Sequence, residues 1–145
     1  MGIDPGSVRV GVALSDETRT LATPLMTLAA GPGLVGALAA LVRENDVREL
    51  VVGLPRRLDG SEGPEAEAAR GLGGELHAAT GLPATMWDER MTSRIAERTA
   101  AGDRRGRGRG AAPRSREQVR ARREATDRAA AAVLLQSYLD SVGRR

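Results

Sequence analysis

Four acidic residues stand where a carboxylate could do more than keep a surface wet. Asp4 closes a short apolar run and is followed at once by Pro5-Gly6-Ser7. Asp88 and Glu89 end a second run, Leu82 to Trp87, just before Arg90-Met91-Thr92. Asp127 begins a stripe continued by Ala131, Leu134 and Tyr138 at spacings of four, three and four, hence on one helical face. Acids contributed by separate elements suit phosphodiester hydrolysis with two divalent ions held roughly 3.5–4 Å apart. Carboxylate oxygen is the right donor for hard ions such as Mg²⁺ or Mn²⁺. Asp4, Asp127 and one member of the Asp88-Glu89 pair are therefore candidate catalytic residues and metal ligands.

Each acid also has a plainer reading. Asp4 is a natural turn former. Asp88 or Glu89 could serve only the dipole of a following helix. Asp127 could pair with Arg123, one turn earlier. Asp127 weighs against its own plain reading, because its face is aimed at the core and a carboxylate there needs a partner. Successive strand residues face opposite sides, so only one of Asp88 and Glu89 can face a site. Glu89 is favoured, with Asp88 as the alternative, since sequence does not fix the register. His77, alone on an amphipathic helix, reads as a surface residue without a role.

The elements that would carry these acids follow from periodicity. Gly2 to Asp4 reads as a strand. Val8, Val10, Val12 and Leu14 alternate with smaller or polar residues and predict a second one. Pro5 and Gly6 supply the turn between them, one by fixing φ and the other by tolerating φ > 0. Leu21 to Leu28 predicts a third strand, and Pro24 places it at an edge or bulge. Leu34, Leu38, Leu41 and Val42 predict a helix over about 33–45. Glu49 to Pro55 is a continuous apolar run, as in a strand covered on both faces. Pro64 opens a helix that Gly81 closes near Thr80. The strand of Leu82 to Trp87 follows, and then a helix from Thr92 to about Ala101. Gly102 to Ser115 is a low-complexity Gly/Arg/Ala/Pro loop, and a long helix runs from about Arg116 to Val142. The order β-β-β-α-β-α-β-α-α suits an α/β fold with a central mixed sheet covered by helices.

Composition narrows the class. The chain has 145 residues, enough for one domain over residues 1–145 with a single core. It has no cysteine, which excludes disulfides and thiolate metal sites. Neither a secretory signal nor a membrane-spanning run is visible, so a soluble, cytoplasmic protein is expected. Net charge is only +3, yet the sequence pI is about 10.7, because every basic residue is arginine except for one histidine. Arg104, Arg105, Arg107, Arg109, Arg114 and Arg116 crowd one segment, with Arg120, Arg122 and Arg123 close behind. Such a block points to a polyanion, with phosphate contacts that position without reading sequence. Arg90 could likewise contact phosphate or pair with an acid. With one Trp, one Tyr and no Phe, stacking platforms for single strands are nearly absent.

These residues also resemble a known family. Gly2-Ile3-Asp4-Pro5-Gly6-Ser7-Val8-Arg9-Val10-Gly11-Val12-Ala13 is similar to the opening of the YqgF/RuvX family. Val51-Val52-Gly53-Leu54-Pro55 with Leu58 to Pro64 resembles its second signature, and Trp87 to Thr92 resembles its Asp-Glu-Arg motif. Asp127 with Ala130 to Leu139 resembles its terminal helix. The resemblance implies an RNase H-like fold, with a five-stranded mixed sheet flanked by helices on both faces. It implies Asp4, an acid of the 88–89 pair and Asp127 as metal-binding catalytic residues. It further implies a cytoplasmic nuclease acting on nucleic acid, either RNA at the 5′ end of pre-16S rRNA or branched DNA as a Holliday-junction resolvase. A dimer would suit the second activity.

There are two departures from the family. Only three residues precede Asp4, short for a central strand, which leaves open a start upstream of Met1. The Gly/Arg stretch at 104–110 is longer and more basic than the family implies; it reads as a phosphate-gripping loop or as a low-complexity insertion. Two rivals stand apart from the nuclease: a sugar-kinase or actin-like nucleotide binder, for which the chain is short, and a non-catalytic RNA-binding assembly factor using the same basic patch.

Overall fold

The computed structural model describes residues 1–91 and 115–143. Five strands form one sheet: β1 (Gly2–Pro5), β2 (Arg9–Ser15), β3 (Ala22–Ala29), β4 (Leu50–Leu54) and β5 (Ala84–Asp88). Three helices accompany them: α1 (Leu34–Glu44), α2 (Pro64–Thr80) and α3 (Arg116–Val142). The strand order is β3-β2-β1-β4-β5. The β1–β2 and β2–β3 pairs are antiparallel, and β1–β4 and β4–β5 are parallel. The sheet is mixed, as expected.

The pleat sorts side chains into two layers. Ile3, Val10, Val12, Leu50, Val52 and Leu54 pack with Leu38, Ala69 and Leu76 under α1 and α2. On the opposite face Ala13 and Val51 pack with Ala131, Leu134 and Leu135 of α3. All of β4 is buried, as its unbroken apolar run requires. β3 is an edge strand, and its register with β2 shifts between Val12 and Ala13, where Pro24 enters the pairing. A proline has no N–H for the ladder, so an edge bulge accommodates it.

Turns and caps hold the frame. Pro64 opens α2, and Gly81 closes it at φ 72° with its N–H on the His77 carbonyl. Ser115 and Gln118 cap α3 reciprocally. Gly6 corrects one expectation: it is not among the glycines of positive φ. It is needed for closeness, because a Cβ there would lie 2.5 Å from the Arg9 carbonyl oxygen that its own N–H meets at 3.0 Å. Gly73 tells a similar story within α2. A Cβ there would sit 2.3 Å from Met86 Cε, so the helix gives up propensity to rest on β5. The expected helix of 92–101, and the loop of 102–115 up to residue 114, lie outside the described residues.

Candidate active site

β1, β4 and β5 run parallel, so their C-terminal ends gather along one edge, where α/β sheets commonly bind ligands. Asp4 lies near the end of β1, and Glu89 follows directly after β5. β4 runs between them, so their backbones stand about 10 Å apart, two strand spacings. The side chains nevertheless meet: Asp4 and Glu89 share a side-chain hydrogen bond. Gly53 on β4 makes this possible. A Cβ at Gly53 would lie 2.9 Å from Glu89 Oε1 and 2.6 Å from Leu134 Cδ1. The absent side chain is the passage through which Glu89 reaches Asp4.

Asp127 comes from the opposite direction, down from α3. Its backbone is seated on β2 at Gly11, where a Cβ would lie 2.1 Å from the Asp127 carbonyl oxygen. Gly2 plays the same part for Leu135, whose Cβ would be 2.7 Å away. Small residues on one face of the sheet thus let α3 lie close, bringing its acid within electrostatic reach of Asp4. Asp127 does not pair with Arg123 on its own helix. It accepts a 2.6 Å hydrogen bond from Arg9 Nε on β2.

The electrostatics follow from crowding. Burial and the nearby Asp127 charge push the Asp4 carboxyl up, while the hydrogen bond from Glu89 offsets part of the rise. Glu89 is pushed up to about 7 by burial, then by the Asp4 charge and the hydrogen bond to it. Acids that resist ionising together ionise more readily when a cation lies among them. Their all-oxygen donor set fits a hard divalent ion such as Mg²⁺ or Mn²⁺. Among the described residues the acids do not close into a three-ligand cage. Asp4 and Glu89 hold each other, and Asp127 Oδ2 rests on Arg9.

Asp88 is placed elsewhere. It pairs with Leu54 on the face opposite Trp87, and its carboxylate takes bonds from Arg90 Nη2 at 2.7 Å and from the Arg90 backbone N–H at 2.9 Å. Arg56 Nε stands 3.9 Å away, and the Arg90 guanidinium holds Asp88 below the usual carboxylate range. The register thus brings Glu89, not Asp88, to Asp4. Arg90 is engaged with an acid. Trp87 faces α3, edge-on to Tyr138 at 5.3 Å between ring centroids, with its Nε1–H on Ser137 Oγ. It belongs to the apolar cluster between the sheet and α3.

Of the basic residues singled out, Arg116 is exposed at the start of α3. Arg104, Arg105, Arg107, Arg109 and Arg114 lie outside the described residues. Further along α3, a cavity of about 320 Å³ is lined by Val119, Arg122, Arg123, Thr126 and Asp127. Arginine side chains thus stand next to the acid cluster. His77 is exposed, its Nδ1 against the Leu82 carbonyl at the end of α2. Sequence reasoning passed over Arg9, Gly11 and Gly53. Their signal was parity: Arg9, Gly11 and Ala13 share the face of β2 turned to α3.

Known proteins are similar along the whole chain. The family described as "RuvX: Holliday junction resolvase" matches residues 1–141. The chain belongs to the RuvX family. Relatives named "Putative pre-16S rRNA nuclease" match this RuvX-family chain over nearly its full length. One from Thermobifida fusca is 43% identical, covering 99% of this chain and 88% of the relative. One from Moorella thermoacetica is 44% identical, covering 99% and 96%. Among solved structures, Thermus thermophilus RuvC superposes with a TM-score of 0.54 at 17% identity, over 99% of this chain and 95% of RuvC. The same protein in complex with a Holliday junction substrate gives 0.55 at 18%, over 98% and 94%. The fold is RNase H-like, as the resemblance implied.

Proposed function

We propose that this chain, as one domain, is a divalent-metal-dependent nuclease that hydrolyses phosphodiester bonds, with precursor 16S rRNA as its substrate. The observation that carries this reading is the meeting of Asp4 and Glu89 across Gly53, with Asp127 beside them, at the C-terminal edge of the parallel strands. The names of its relatives support RNA as the substrate, and the cytoplasm is the place of action that such a substrate implies.

Asp4, Glu89 and Asp127 would hold Mg²⁺ or Mn²⁺. Two such ions, when bound, lower the pKa of a water for in-line attack and offset charge on the leaving oxygen. The chain supplies the rest. Asp4 and Glu89 share a hydrogen-bonded proton below about pH 7, and a bound cation would displace it. Leu134 stands beside the Gly53 passage that Glu89 occupies, an apolar wall that strengthens the field inside. Exposed arginines of α3, among them Arg116, Arg122 and Arg123, hold the backbone by its phosphates without choosing sequence.

A second reading, resolution of Holliday junctions, is favoured by the family's description and by the likeness of the fold to RuvC. The test is cleavage of a pre-16S rRNA fragment and a four-way DNA junction side by side, with Mn²⁺, Mg²⁺ or EDTA. Cutting of the RNA at its 5′ flank supports the first reading, and symmetric nicking of the junction supports the second. Binding of RNA with no metal-dependent cutting of either leaves an RNA-binding assembly factor.

A further inference from the structure

One charged side chain of the acid cluster has no task in the account above. Arg9 stands on the face of β2 turned to α3, and its Nε donates to Asp127 Oδ2 at 2.6 Å. That bond uses one of the five N–H donors of a guanidinium. Among the described residues no other protein acceptor takes a hydrogen bond from Arg9, so both Nη amino groups keep their donors. The side chains of Arg9 and Asp127 are 28% and 30% exposed, so a ligand can reach the pair.

Holding α3 to the sheet does not account for this pair. Gly2, Gly11 and Ala13 already let the helix lie flat, and Ala131, Leu134 and Leu135 fix it there by burial. A partly exposed ion pair adds little to that.

We propose that Arg9 is a substrate-contacting catalytic residue. Asp127 fixes the guanidinium through Nε, and the Nη groups bind a non-bridging oxygen of the phosphate to be cleaved. The inference rests on the nuclease reading of the acids and deepens it. Arginine suits the task because its charge persists at every working pH and its planar fork matches phosphate. The site also needs such a charge. Two divalent ions would offset three carboxylates and one phosphodiester, and in-line attack adds negative charge on the phosphoryl oxygens beyond that balance. A fixed cation placed there in advance stabilises that growth without reorganising. The same contact gives the anchor a second use, since a carboxylate that serves a metal is bonded to the group that meets the substrate.

The experiment compares wild type, Arg9→Ala and Arg9→Lys as full chains. Mn²⁺ affinity is measured by calorimetry. Affinity for a labelled RNA is measured with saturating Ca²⁺ in place of Mn²⁺, with intact strands verified on a gel. Cleavage is measured at saturating Mn²⁺. Arg9→Ala is expected to bind Mn²⁺ at least as tightly as wild type, since Asp127 is released from its partner. It should bind RNA about tenfold more weakly and cleave about 10²–10³-fold more slowly. Arg9→Lys should recover RNA affinity but only part of the rate, because an ammonium has no fork. If Mn²⁺ affinity falls and added Mn²⁺ restores cleavage, Arg9 only orients Asp127 and the proposal is overturned. Unchanged RNA affinity in Arg9→Ala overturns it as well. If wild type cleaves nothing while the RNA affinity loss persists at unchanged Mn²⁺ affinity, the phosphate contact stands and the nuclease reading falls.

Discussion

Replacing Glu89 by Gln should make the metal-free protein more stable while removing its activity. In the folded chain the Glu89 carboxyl is lifted from 4.5 to about 7, first by burial and then by Asp4. A rise of that size corresponds to about 3 kcal/mol. Glu89 is half-buried, so solvent screens part of it, and we expect about 1–2 kcal/mol to be realised. The sign follows from linkage. The folded chain binds this proton more tightly than the unfolded chain, so the contribution is fully present below about pH 4.5 and lost as pH rises through about 7. Gln cannot ionise, and its amide can donate to the Asp4 carboxylate in place of the shared proton. The assay is urea unfolding in EDTA, followed through Trp87, the single tryptophan of the chain, on the sheet face under α3. At about pH 8 the variant should be more stable by about 1–2 kcal/mol, and the gap should close toward about pH 4.5. Saturating Mg²⁺ should reverse the order, because only wild type gains from a ligand bound to the native state. A stability difference that does not change with pH, or a variant weaker than wild type at about pH 8 without metal, would refute the reasoning.

Three further perturbations probe how the acids are placed. Gly11→Ala forces a Cβ to within 2.1 Å of a backbone carbonyl that cannot step aside, and should cost about 3 kcal/mol in urea unfolding. Gly53→Ala meets the movable ends of Leu134 and Glu89 instead. It should cost only about 1–2 kcal/mol while lowering cleavage by about 10²-fold, since a displaced ligand misplaces the reacting groups. Asp88→Asn weakens a partly exposed ion pair with Arg90 and should change stability by less than about 1 kcal/mol. Its cleavage rate should stay close to wild type, whereas Glu89→Gln should be inactive in the same gel assay.

Asp4 and the Asp88-Glu89 pair were legible because they end apolar strand runs. Asp127 was legible because it heads an apolar stripe within a helix, where a carboxylate needs a partner. The long helix was legible because its stripe is periodic: expected from about Arg116 to Val142, it is observed over those residues. The last strand was less so. Leu82 to Trp87 was expected and Ala84–Asp88 is observed, a shift that moves the end of the ladder onto Asp88. That register decides between Asp88 and Glu89, and it depends on pairing with β4 rather than on local sequence. Arg123 was the nearest partner for Asp127 along the chain, but Arg9, 118 residues away, holds it in space. Gly11 and Gly53 drew no notice, one as a small residue in an alternating strand and the other inside a continuous apolar run. Their function is to be absent, and an absence has meaning only once the neighbouring elements are in place.

The central claim is that Asp4, Glu89 and Asp127 form a metal-dependent phosphodiesterase site. Cleavage of labelled pre-16S rRNA by wild type and Asp4→Asn, in Mn²⁺ and in EDTA, with RNA binding measured in parallel, tests it most directly. The account predicts cutting by wild type in Mn²⁺ alone, none by Asp4→Asn, and binding by both. Cutting that survives in Asp4→Asn or in EDTA would contradict it.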